Sequence, residues 1–100
     1  MPAVELLFFP ECPHVDAARA QLRRAMERAG LEPRWVEHDV SSSSAPAHTR
    51  GFGSPTVLVD GADVTGAAPS SSTACRLYLG SDVAGAPPLE AIVAALRRTA

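Results

Sequence analysis

Hydrophobic positions along this chain switch between a strand-like and a helix-like period. Val4 to Phe9 is β-branched, leucine and aromatic with one charge, Glu5, inside it, which predicts a short buried strand that Pro10 ends. From Pro13 to Ala29 the residues Val15, Ala18, Leu22, Ala25, Met26 and Ala29 recur at helical spacing, with Arg19, Arg23, Glu27 and Arg28 on the other side. Gly30 supplies the C-terminal stop. Pro33 to Val40 sets Trp35, Val36 and Val40 among charges, the pattern of a strand near a sheet edge with one wet face.

The serine run Ser41 to Ser44 has little to bury, so Ser41 to Gly53 reads as a loop with one helical turn around Ala45 to Arg50. Thr56 to Val59 and Ala62 to Thr65 flank Asp60-Gly61, a pair that satisfies the positive φ angles of a two-residue turn and predicts an antiparallel hairpin. Gly66 to Ser72 is small and polar, and Cys75 to Leu79 is too short to classify. After Pro87-Pro88, the positions Leu89, Ile92, Val93 and Leu96 predict an amphipathic helix running to about the C-terminus. The order βαβ, loop, ββα predicts an α/β fold with a four-stranded mixed sheet.

One hundred residues, 46% of them hydrophobic, suit a single domain over residues 1–100 with one core. The Val4 to Phe9 stretch is too short to span a bilayer and lacks a basic leader or a small-residue cleavage site. A soluble, cytoplasmic protein with no membrane partner is the expectation. All nine basic residues are arginine, and the net charge of −2 gives no electrostatic footprint for nucleic acid. In that compartment the two cysteines, Cys12 and Cys75, read as catalytic or metal-binding and not as a permanent staple.

Cys12 follows the first strand and opens the first helix, in Phe8-Phe9-Pro10-Glu11-Cys12-Pro13-His14-Val15. A thiol there faces unpaired backbone N–H groups and the positive end of the helix dipole, which favour the thiolate, whereas the alternative is a small buried hydrophobe. Pro13 fixes the first helical turn. His14 is either a partner that stabilises the thiolate or a solvent-facing loop histidine. His38 and His48 have no ligand spacing with either cysteine, so no preformed zinc site is expected. Cys75 is a resolving thiol, a second soft-metal ligand or a buried bystander. Arg76 and Tyr78 beside it either hold a substrate group or are an exposed arginine and a half-buried tyrosine, and Arg50 shares that ambiguity.

The element order, the cysteine after the first strand and the Ser54-Pro55-Thr56 step entering the third resemble the thioredoxin-like superfamily along nearly the whole chain. Cys12-Pro13-His14-Val15 is similar to the Cys-Pro-His-Cys of disulfide-forming oxidoreductases of that fold, with Val15 where the second cysteine would stand. The resemblance implies a cis-proline at Pro55, set against the active-site cysteine and presenting backbone for substrate pairing. A nearer likeness is to small bacterial thioredoxin-family proteins with one active-site cysteine, a Gly-Ser-Pro-Thr step and a late Cys-Arg-x-Tyr segment, here Cys75-Arg76-Leu77-Tyr78. Some of those carry names related to alkylmercury lyase. Thr65-Gly66-Ala67 falls where glutaredoxins bind glutathione, but the Gly-Gly and following Asp of that site are missing here.

In a βαβ-ββα sheet the fourth strand returns toward the end of the first, so Thr65 and Gly66 are expected near Cys12. The segment from Gly66 to Cys75 is then long enough to lay Cys75 over the Cys12–Pro55 face. Three functions follow. The first is a thiol–disulfide redox protein in which Cys12 attacks a protein or small-molecule disulfide, Cys75 resolves, His14 assists and Pro55 pairs with substrate. The second binds a soft metal, Hg(II), Cu(I) or an organomercurial, or arsenite, between Cys12 and Cys75. The third is a non-catalytic interaction scaffold. None of the three calls for a cofactor.

Overall fold

Four strands in the order β2-β1-β3-β4 form a mixed open sheet: β1 (Val4–Phe8), β2 (Val36–Asp39), β3 (Thr56–Val59) and β4 (Ala62–Asp63). The computed structural model describes residues 3–66, 78, 81–83 and 85–99. β1 pairs in parallel with β2 and antiparallel with β3, and β3 pairs antiparallel with β4. A parallel pair needs a crossover. Helix α1 (Val15–Arg28) supplies it, and α2 (Leu89–Thr99) follows the hairpin. The architecture is a small α/β fold with a four-stranded mixed sheet and two helices.

Strand alternation divides the buried residues between two faces. Val4, Leu6, Val57 and Val59 pack against Ala18, Leu22, Ala25 and Met26 of α1 and Ile92, Val93 and Leu96 of α2. Leu7 and Leu58 point the other way, into a small cluster with Phe52 and the partly buried Val40. That second face carries no helix among the described residues. It is covered by the loop between β2 and β3, whose one regular piece is a 3₁₀ turn, Ala47–Thr49. The expectation of a loop with a single helical turn agrees with this.

Helix α1 begins at Val15, two residues later than the apolar period suggested, because the Cys12 amide bonds back to the Phe9 carbonyl (3.0 Å) and the first helical bond runs from Ala18 N to His14 O. Its C-terminus closes with Gly30 N to Glu27 O (3.1 Å) and Leu31 N to Met26 O (2.8 Å), the paired bonds of a Schellman motif. Leu31 then packs against the core that contains Met26.

β2 is shorter than Pro33 to Val40 and lies at the sheet edge, with Val36 57% exposed. The hairpin turns on Asp60 (φ 52°) and Gly61 (φ 83°), both in the left-handed region that such a turn requires. β4 ends at Asp63 and not at Thr65. There the Asp63 carboxylate accepts the Thr65 amide and hydroxyl, each at 2.9 Å, and this side-chain turn draws the chain out of the ladder. Among the described residues no helix is long and apolar enough to cross a membrane.

A buried polar residue ties α1 to the approach to α2. Gln21, fully buried, donates to the Asp82 carboxylate (3.0 Å) and the Pro87 carbonyl (3.2 Å), and its own oxygen accepts from Arg24 (2.9 Å). Asp82 also accepts the amide of Leu89, the first residue of α2 (3.2 Å). Donors that a helix start leaves unpaired thus find a carboxylate.

Candidate functional site

Cys12 sits at the end of the turn that links β1 to α1, with His14 as the residue capping the helix. The turn is pinned to the start of β3, because the Phe9 amide donates to the Ser54 hydroxyl at 3.0 Å and so extends the β1–β3 ladder past Leu7 and Thr56. The Ser54–Pro55 peptide that follows is cis. Tyr78 lies at the same place, its hydroxyl donating to the Pro55 carbonyl. The topology therefore brings Cys12, Pro55 and Tyr78 to one end of the sheet. β4, parallel in direction to β1, returns toward that end. Cys75 and Arg76 lie outside the described residues.

Cys12 is buried, with 7% of its surface exposed, yet it lines a cleft of about 220 Å³ together with Phe8, Pro10, Pro13, Val15, Asp16 and Arg19. Arg19 on the cleft wall is fixed from three sides. It bonds Glu37 of β2 through two nitrogens (2.9 and 3.0 Å), pairs with Asp16 (2.8 Å), and lies over the Phe8 ring, 5.7 Å from its centroid. Glu37 and Asp16 together raise the guanidinium above its ordinary value against the opposing effect of burial. In return Arg19, with a bond from the Trp35 indole, lowers the Glu37 carboxyl below the usual range.

Nothing in the sequence pattern placed Arg19 at the thiol's cleft. Its position on the wet side of the helix was legible, but its proximity to Cys12 depends on how the turn folds back.

His14 is partly buried at the start of α1. Its ring lies against the backbone of Gly85, where a Cβ would stand 2.2 Å from His14 Cγ and 2.4 Å from Nδ1. Gly85 also has φ +75°, so two separate constraints require glycine at that position. The approach to α2 thereby fixes the imidazole two residues from Cys12. Arg50 is exposed beyond the 3₁₀ turn.

His38 and His48, which the sequence spacing left unrelated, meet on the second face of the sheet. Their Nε2 atoms lie 2.9 and 2.7 Å from the same oxygen of Glu5, and the rings stand edge to face with centroids 6.1 Å apart. Glu5 and His38 are mostly buried, at 15% and 18% side-chain exposure, and His48 is half exposed at 51%. The signal that could have found this group was the single charge inside the apolar first strand. No family model, no curated protein and no solved structure matches this chain.

Proposed function

We propose that the protein is a thioredoxin-like thiol–disulfide redox protein with Cys12 as its nucleophile and Cys75 as its resolving thiol. The observation that carries this reading is the docking of the Cys12 turn on the Ser54–Pro55 step through the Phe9–Ser54 bond. The cleft beside the thiol and the Tyr78 bond to Pro55 support it. Cys75 stands three residues before Tyr78 in the sequence, in the Cys-Arg-x-Tyr segment that the resemblance singles out.

The chemistry balances in two exchanges. The Cys12 thiolate attacks one sulfur of a substrate disulfide, forming a Cys12–substrate mixed disulfide and releasing the other substrate sulfur as a thiolate. The Cys75 thiolate then attacks the Cys12 sulfur, expels the second substrate thiolate and leaves a Cys12–Cys75 disulfide. The substrate gains two electrons and the protein loses two, so an external thiol must reduce the protein before the next cycle. Arg19 lines the same cleft as Cys12 with its charge engaged by Glu37 and Asp16, and His14, two residues from the thiol in sequence, is held against Gly85.

Mild oxidation followed by mass-spectrometric disulfide mapping tests this. A Cys12–Cys75 link is expected in the wild type, and in Cys75→Ala a mixed disulfide between Cys12 and added small thiol. A Cys12 that stays inert to thiol reagents at neutral pH in the folded protein would sink the reading.

A further inference from the structure

The thiol chemistry leaves the opposite face of the sheet unused, and that face holds the densest cluster of metal-ligating atoms among the described residues. We infer that Glu5, His38 and His48 form a binding site for a divalent transition ion of the Zn²⁺ class, with one coordination position open to solvent.

Convergence comes first. One oxygen of Glu5 and the Nε2 atoms of His38 and His48 all lie within 4.8 Å of one another, with the oxygen 2.9 and 2.7 Å from the two nitrogens. Zn²⁺ bonds of about 2.0–2.2 Å to nitrogen and carboxylate oxygen place neighbouring tetrahedral ligands roughly 3.3 Å apart. Seating the ion therefore asks the two oxygen–nitrogen contacts to open by about half an ångström. Metal then replaces the shared proton contacts as the centre of the group.

The scaffold suits that exchange. Glu5 and His38 stand on β1 and β2, adjacent strands whose parallel register pairs Glu5 with Val36 and Leu7 with His38. Two ligands are thus set by backbone hydrogen bonding. The third comes from the 3₁₀ turn Ala47–Thr49, anchored by the fully buried Thr49, whose hydroxyl donates to the Pro46 carbonyl at 2.6 Å. Half-exposed His48 has the freedom to adjust to the ion. Glu5 is flanked across the ladder by Leu58, which is fully buried, and a carboxylate in such apolar surroundings gains more from a dication than from two imidazoles.

The donor set also selects the metal. Two imidazoles and a carboxylate suit Zn²⁺, Co²⁺, Ni²⁺ or Fe²⁺, whereas Ca²⁺ and Mg²⁺ prefer all-oxygen shells and Hg(II) or Cu(I) prefer thiolates. This site is consequently distinct in chemistry from any metal held by Cys12 and Cys75. Three protein ligands leave a fourth position for water or an exogenous ligand. His38 also lines a cleft of about 210 Å³ with Ser42, Ser44 and the acidic Asp39, which favours approach of a cation.

Zn²⁺ titration of the full chain against a chromophoric chelator, in wild type and in Cys12→Ser/Cys75→Ser, tests the assignment. One equivalent is expected to bind in both, and His48→Ala is expected to weaken binding by at least the 10–100-fold that loss of an outer-shell partner costs. His48 is half exposed on a turn, so this variant should keep the fold, which circular dichroism checks. Nitrogen-15 NMR of the imidazoles gives a second reading in the wild type: Zn²⁺ should shift Nε2 of His38 and His48. Absence of stoichiometric binding, binding undiminished in His48→Ala, or binding lost only in the double cysteine variant would each overturn the site. None of these results depends on whether Cys12 is redox-active.

Discussion

The two faces of the sheet are covered by different means. One lies under two helices whose side chains interlock with Val4, Leu6, Val57 and Val59 in a dry cluster, with the one fully buried polar residue of α1, Gln21, bonded through both ends of its amide. The other lies under a loop with a single 3₁₀ turn, and there three apolar residues, Leu7, Phe52 and Leu58, share the surface with Glu5 and His38. A helix offers a broad apolar stripe, and the ion pair on that side, Arg19 with Glu37, is partly exposed. A loop brings individual side chains, and one of them, His48, completes a cluster of three ligating groups. Stability is concentrated on the first face, and ligand chemistry becomes possible on the second.

Truncating one leucine on each face is the strongest test of this contrast. Leu22→Ala removes a fully buried side chain between α1, α2 and the sheet, where interlocked helices relax little, so a loss of about 4–5 kcal/mol is expected. Leu58→Ala removes an equally buried side chain under the loop, which can settle into the space, so about 2–3 kcal/mol is expected. Urea unfolding followed by circular dichroism measures both. Equal losses would mean that the loop packs as rigidly as the helices.

The next effect lies at the seam between the helix layer and Cys12. Gly85→Ala sets a Cβ 2.2 Å from the His14 ring and places an L-residue at φ +75°. The left-handed backbone costs about 1–2 kcal/mol, and the steric overlap a further 1–3 kcal/mol or so. Adding His14→Ala should recover the steric part and leave the backbone part. If the double variant is no more stable than Gly85→Ala alone, the ring is not what Gly85 accommodates.

These expectations also separate what the sequence made legible from what it did not. Helical periodicity found Leu22, Met26, Ile92, Val93 and Leu96, since each faces the core for a reason contained within its own helix. Asp60-Gly61 marked its turn because the φ requirement is local. The strand-to-helix junction at Cys12 was equally readable. The contact between His14 and Gly85 was not, because it joins positions far apart in the chain with no shared period. The meeting of Glu5, His38 and His48 was hidden for a related reason. It requires the parallel register that pairs Leu7 with His38 and a loop folded back over β1, and neither leaves a mark in spacing along the chain. Asp63 shortened the fourth strand by a side-chain turn that competes with the ladder, where strand propensity alone extended it to Thr65.

The smallest expected effect concerns the charges that tie the helix layer together. Arg19 holds the Glu37 carboxyl below the usual range, and Asp82 is held low chiefly by the Leu89 amide, with Gln21 and Arg24 adding to it. A carboxyl whose folded-state value is depressed stabilises fully above its unfolded-state value and loses that contribution as pH falls through the folded-state value. Both groups therefore weaken the fold on the acid side, below the ordinary carboxylate range. Arg19 and Glu37 are 40% and 30% exposed, so solvent screening limits their pair to under about 1 kcal/mol. Glu37→Gln should lower stability near neutral pH, and its difference from the wild type should shrink as pH falls through the depressed folded-state value of the carboxyl, below the ordinary carboxylate range. Asp82→Asn should show the same shape. If the double variant Glu37→Gln/Asp82→Asn kept the full acid sensitivity of the wild type, these two carboxyls would not be the groups whose protonation weakens the fold.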